Sequence, residues 1–109
     1  MSDSPPLPSH REAAILEALR PGERYGLEIR RAVSALTRSS MPLGSLYTTL
    51  ARMEDKRLIT SRLAAEGQRG GGNRRRFYRL TGLGSNALDA YVSRVATVHR
   101  LSGQPGVAQ

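Results

Sequence analysis

The sequence predicts a mainly α fold carrying one small β-hairpin, in the order α-α-α-β-β-α. Three observations predict it. Apolar residues repeat at helical spacing in three segments before Asp55. Two short strand-like runs flank the glycine-rich stretch 64–74. A last segment, after Thr81, repeats apolar residues at helical spacing again. The 109 residues suffice for one domain, and a core this small gains stability by burying further surface against a partner.

Residues 1–8, with Pro5, Pro6 and Pro8, read as a flexible tail. The first helix starts at Ser9, which with Glu12 forms a capping box: each side chain satisfies an otherwise free backbone N–H. Ile15, Leu16 and Leu19 supply its apolar stripe, and Pro21-Gly22 ends it. In the second helix Tyr25, Ile29, Val33 and Leu36 share one face, with Arg30 and Arg31 near the opposite one. Ser39, Ser40 and Pro42 mark a loop, and the third helix starts within 42–45. Its Leu46, Leu50 and Met53 face the core. Ser45, Thr48, Thr49 and Arg52 are expected outward, with no carboxylate before Glu54.

Residues 58–63 read as a strand. The stretch 64–74 holds Gly67 and Gly70–Gly72 and suits neither helix nor strand. Residues 75–80 form the second strand, with Tyr78 and Leu80 on one face and Phe77 and Arg79 on the other. Thr81 is a plausible N-cap for the last helix. Leu88, Tyr91, Val95 and Val98 then follow as a and d positions of two heptads, and Gly103 and Pro105 end it. No other element remains to cover that seam fully, which favours a homodimer. Three helices followed by a basic hairpin is the plan of a winged helix-turn-helix, whose second and third helices form the helix-turn-helix. The expected organisation is a tail over 1–8, the winged helix-turn-helix over 9–81, a dimerisation helix over 82–102 and a tail over 103–109.

The net charge of +8 calls for an anionic partner. Residues 44–79 carry nine of the basic residues against three acidic ones, so +6 of the excess falls in a third of the chain. A merely solvated surface would spread it. The absence of cysteine excludes disulfides, thiolate metal sites and a cysteine nucleophile. His10 and His99 are too few for a metal centre, and neither a metal nor a cofactor is expected. Gly70–Gly72 lacks the Gly-Lys-Ser/Thr ending of a phosphate loop, and Ser45 lacks a nucleophile elbow. Nothing supports catalysis. No apolar run approaches membrane-spanning length, and the N-terminus lacks the apolar core of a signal peptide, so a cytoplasmic, nucleoid-associated protein is expected.

Three segments, AILEALRPGERYGLEI (14–29), GSLYTTLARMEDKRLI (44–59) and RRRFYRLTGLG (74–84), resemble the PadR-like transcriptional regulators in order and spacing. The resemblance covers residues 11–101 and is similar to the short members with a single C-terminal helix. It implies a homodimeric winged helix in which the last helix and the first make the dimer, and which represses its own or nearby genes. It also implies that Tyr47 lies near the DNA backbone, and that a planar or phenolic small molecule, which some members bind near the dimer interface, weakens DNA binding. Two departures stand out. Arg57 replaces the Gly usual after the third helix, where a left-handed cap is expected. The last helix has no Trp, and Tyr91 is its only aromatic.

The residues expected to meet double-stranded DNA are Ser45, Tyr47, Thr48, Thr49 and Arg52 of the third helix and Arg69, Asn73, Arg74, Arg75 and Arg76 of the wing. Tyr47 also admits a reading as a core aromatic, and Arg76 or Arg79 one as partners of acidic side chains. The residues expected at the dimer interface are Ile15, Leu88, Tyr91, Val92, Val95 and Val98. Two other functions fit the same charge: a winged-helix module binding an acidic protein, and a non-specific nucleoid protein.

Overall fold

A computed structural model describes residues 7–65 and 75–102. The N-terminal residues 1–6, the C-terminal residues 103–109 and the stretch with Arg69, Asn73 and Arg74 lie outside the described residues. Pro8, assigned to the tail from sequence, is buried. The elements are α1 (His10–Leu19), β1 (Arg24–Tyr25), α2 (Gly26–Thr37), α3 (Leu43–Asp55), β2 (Ile59–Leu63), β3 (Arg76–Leu80) and α4 (Gly82–Ser102).

The capping box at α1 forms as read. The Glu12 N–H donates to Ser9 Oγ at 3.1 Å, and the Ser9 N–H donates to Glu12 Oε1 at 2.9 Å. Gly22 closes the following turn at φ 153°, where a Cβ would be strained. α2 starts one residue later than its apolar spacing suggests, because Tyr25 belongs to β1. This two-residue strand is a correction to the predicted order. It pairs antiparallel with β3, matching Arg24 to Tyr78 and Tyr25 to Phe77. The hairpin is therefore a three-stranded sheet in the order β1-β3-β2. β2 and β3 pair from Ile59↔Leu80 to Leu63↔Arg76. Tyr78 points into the core, and Leu80 packs against it, as alternation requires.

Ile15, Leu16 and Leu19 of α1, Ile29 of α2, Leu46, Leu50 and Met53 of α3, then Leu58, Ile59 and Leu88, form the fully buried centre. Ile15 and Leu88 therefore correct the interface list: both are enclosed by their own protomer and have no surface left for a second copy. Leu36, read as core-facing, is exposed at the far end of α2.

α3 ends in a Schellman motif. The Leu58 N–H donates to Met53 O at 3.0 Å, and the Arg57 N–H to Glu54 O at 2.9 Å. Met53 and Leu58 are both buried beneath it. The motif forces Arg57 to φ 65°, so the left-handed cap is made by an arginine. Thr81 then locks this corner to α4. Its hydroxyl accepts the Gly84 N–H at 2.9 Å and shares its proton between the carbonyls of Arg57 and Leu58, at 2.7 and 3.0 Å. A Cβ on Gly84 would collide with the Leu58 carbonyl, a backbone atom held in place by the Thr81 N–H at 3.2 Å.

Two outcomes follow for stability at fixed protein concentration. Arg57→Gly should raise unfolding free energy by about 0.5–1 kcal/mol in urea titrations, the relieved strain exceeding the added unfolded-state entropy. Gly84→Ala should lower it by about 1–3 kcal/mol, as overpacking does. An unchanged midpoint in both would refute the reading of this corner.

Candidate nucleic-acid interface

The outer surface of α3 follows from its core stripe. With Leu46, Leu50 and Met53 buried, Tyr47, Thr48, Ala51 and Arg52 are exposed. Thr48 donates its hydroxyl to Gly44 O at 3.1 Å, within its own helix. Thr49 corrects the sequence reading. It lies beside Leu50 on the inward edge, is only 5% exposed, and its hydroxyl is occupied by Ser45 O at 2.9 Å. Tyr47 satisfies parts of both its readings. Its ring is 44% exposed, while its hydroxyl end lies against Gly26, where any Cβ would clash with it.

The sheet holds the base of the wing against α2. Arg62 Nε and Nη2 donate to the two carboxylate oxygens of Glu23 at 2.8 and 2.9 Å, and hold that carboxyl below its ordinary pKa. Tyr25 meets Phe77 edge-on, ring centroids 5.7 Å apart. Arg62 also lies over Phe77, and the Arg75 guanidinium lies 4.0 Å from the Tyr25 ring centroid. Arg75, expected to meet DNA, is thus half-buried and turned back onto its own protomer. Arg76 is exposed, and its Nη1 donates to Ser61 Oγ at 3.0 Å. Ser61 in turn donates to Glu54 at 2.7 Å, which ties this wing cation to the edge of α3.

The opposite edge of α3 meets α1, a contact that residue spacing did not reveal. The Lys56 ammonium donates to Glu12 Oε2 at 2.8 Å. Burial alone would raise the Glu12 pKa. The Lys56 hydrogen bond, the Ser9 N–H and the charges of Lys56 and Arg52 outweigh it, leaving the carboxyl below its ordinary value. Arg11 of α1 joins Gly44, Ser45, Thr48, Thr49 and Arg52 around an open concavity of about 500 Å³.

α4 divides in two. Its first half packs on α1 and β3 through Ala87 and Leu88. Tyr91 is half-buried, and its hydroxyl is 2.9 Å from His10 Nδ1. Beyond it Val92, Val95, Val98 and Leu101 are 48, 47, 55 and 80% exposed. Among the described residues no group of three or more His, Asp or Glu side chains could hold a metal ion, and no helix is long and apolar enough to cross a membrane.

The family model of the PadR-like transcriptional regulators matches residues 15–90. The chain belongs to the PadR-like family. It is 32% identical over 94 residues to an uncharacterised protein of Lysinibacillus sphaericus, with 84% of each chain covered. Its fold is similar to that of a PadR family transcription regulator from hypervirulent Clostridium difficile, at 30% identity and a TM-score of 0.74, covering 85% of this chain and 94% of that one. It is also similar to Bacillus subtilis PadR solved in complex with operator DNA, at 24% identity and a TM-score of 0.65, covering 90% of this chain and 50% of that one. The family is one of transcription regulators, not of enzymes.

The Glu12 pairing has a pH signature. A carboxyl whose folded pKa is depressed stabilises the fold above its unfolded pKa, and this is lost as pH falls through the folded value. Lys56→Met should cost about 0.5–1 kcal/mol at neutral pH, the half-exposed ammonium being screened by water. The gap to wild type should close below the carboxylate range. A gap that stays constant down to acid pH would assign the cost to lost packing instead.

Proposed function

We propose that this PadR-like regulator is a homodimeric repressor that binds operator DNA sequence-specifically and is released by a small planar or phenolic effector. α3 enters the major groove through Tyr47, Thr48 and Arg52, with Ser45 at its edge, and the wing follows the neighbouring backbone through Arg76. Arg69, Asn73 and Arg74, outside the described residues, belong to the same reading on sequence grounds. The observation that carries it is the sorting of charge: α3 presents a neutral or cationic outer surface up to Glu54, and Arg76 is tethered beside it through Ser61. That a protein of similar fold, Bacillus subtilis PadR, was solved in complex with operator DNA supports DNA as the partner.

The dimer reading rests on the exposed face of α4. Val92, Val95, Val98 and Leu101, with Leu36 of α2 lining a cavity beside Val92, are too many large apolar groups to leave in water on one small domain. Tyr91 sits at the start of this face. A cavity of about 220 Å³ between α1, α2 and α4, lined by Ala14, Leu36, Tyr91 and Val92 among others, is where an apolar effector would be enclosed once a second copy covers it.

Fluorescence anisotropy with DNA from upstream of the coding region tests the binding mode. The log affinity should fall with log salt at a slope of roughly −4 to −8 for the dimer. Arg76→Ala should weaken binding to every duplex, Arg75→Ala less so, and Thr48→Ala should mainly change preference among sequences. A folded dimer that shifts no duplex would favour the acidic-protein module. Equal affinity for unrelated duplexes would favour the nucleoid protein. Val95→Glu should convert the dimer to a folded monomer in sedimentation equilibrium; a monomeric wild type would refute the dimer.

A further inference from the structure

We propose that Arg11 and Arg52 together form a seat for one DNA backbone phosphate at the α1 edge of α3. The seat rests on the DNA-binding reading above and extends the interface to a helix outside the helix-turn-helix.

Ser45, Thr49, Arg52 and Lys56 follow one another at i, i+4, i+7 and i+11, so they line a single edge of α3. The first turn of α1 lies beside that edge. Lys56 reaches Glu12, the charge of Arg52 acts on Glu12, and Arg11 shares the open concavity with Ser45 and Arg52. The cations here are not equivalent. Lys56 is paired with the buried Glu12 carboxylate at 2.8 Å. Arg11 and Arg52 are exposed and make no ion pair among the described residues. Two planar guanidinium forks beside a serine hydroxyl suit a tetrahedral, doubly accepting oxyanion.

The position of Arg11 strengthens the inference. It stands in the first turn of α1, where the free N–H groups already make the helix end positive. A cation there is unfavourable for the isolated fold, so helix stability does not account for it. An anion approaching from outside would reverse the sign of that effect. The location also suits DNA. When α3 lies in a major groove, a phosphate backbone flanks each edge of the helix. The wing-side edge has Arg76 tethered through Ser61 and Glu54. The α1-side edge has Arg11 and Arg52.

Anisotropy titrations over a salt series, on the upstream DNA and on an unrelated mixed-sequence duplex, test the seat in the full-length chain. Arg11→Ala should weaken both duplexes by a similar factor and reduce the magnitude of the log–log salt slope by part of the ~0.9 per protomer that one neutralised phosphate contributes, and Arg11→Ala with Arg52→Ala should remove that contribution whole. Arg11→Lys should restore the slope. The melting temperature of Arg11→Ala should be equal to or above that of wild type, which separates a phosphate contact from a structural role. Arg31→Ala, an exposed cation on α2 away from this edge, should leave the slope unchanged. A wild type that binds DNA while Arg11→Ala keeps its full slope overturns the seat alone. A loss confined to one duplex would make Arg11 a sequence reader and overturn it too. A wild type that binds neither duplex overturns the DNA-binding reading and the seat with it. Should Arg11→Ala fail to fold, Arg11→Gln, which keeps length and hydrogen bonding without charge, carries the same expectations.

Discussion

The carbonyl of Leu58 is the point on which the arrangement of the molecule depends. It accepts the Thr81 N–H, shares the Thr81 hydroxyl with Arg57, and lies against the bare Cα of Gly84. Three parts of the chain meet there: the end of α3, the start of the wing and the first turn of α4. The contact leaves no room for a side chain at residue 84, so α4 leaves the domain in one direction relative to α3. In a dimer built on α4, the separation of the two α3 helices is then a property of this corner. The chain tolerates a left-handed arginine at residue 57 because the Schellman motif and the Thr81 hydrogen bond together over-determine the turn.

Around this frame two kinds of basic residue can be told apart. Some are held internally. Lys56 is on Glu12, Arg62 on Glu23, Arg20 on Glu17 and Asp89, and Arg75 on the ring of Tyr25. These order the contacts between elements and are largely neutralised. Others, Arg11, Arg52 and Arg76, stay exposed along the two edges of α3. The net charge of the sequence alone does not distinguish them. A charge excess is a field; its use depends on which members make no direct ion pair with a carboxylate.

Much of the fold was legible in residue order because the signals were local. The Ser9–Glu12 box, the Thr81 cap and the alternation in β3 all act within a few residues. What sequence missed required distant partners. β1 is two residues long, too short for any period to show, and exists because β3 offers it a free edge. Thr49 follows the exposed Thr48, yet a helix advances by 100° per residue, enough to carry it to the buried edge beside Leu50. Ile15 and Leu88 were right as apolar anchors and wrong as interface, since apolar spacing does not say which surface covers a residue. Arg11 carried no signal at all, because the residues that share its concavity at α3 are 33 or more positions away.

The most direct measurement is selection of binding sites for the purified protein from a pool of random duplexes. A two-fold pair of α3 helices should enrich an inverted repeat, with half-site centres about 10 base pairs or a multiple of that apart. Enrichment of a single unrepeated half-site, or no enrichment by a folded protein, would contradict a duplicated recognition helix held at fixed separation by α4.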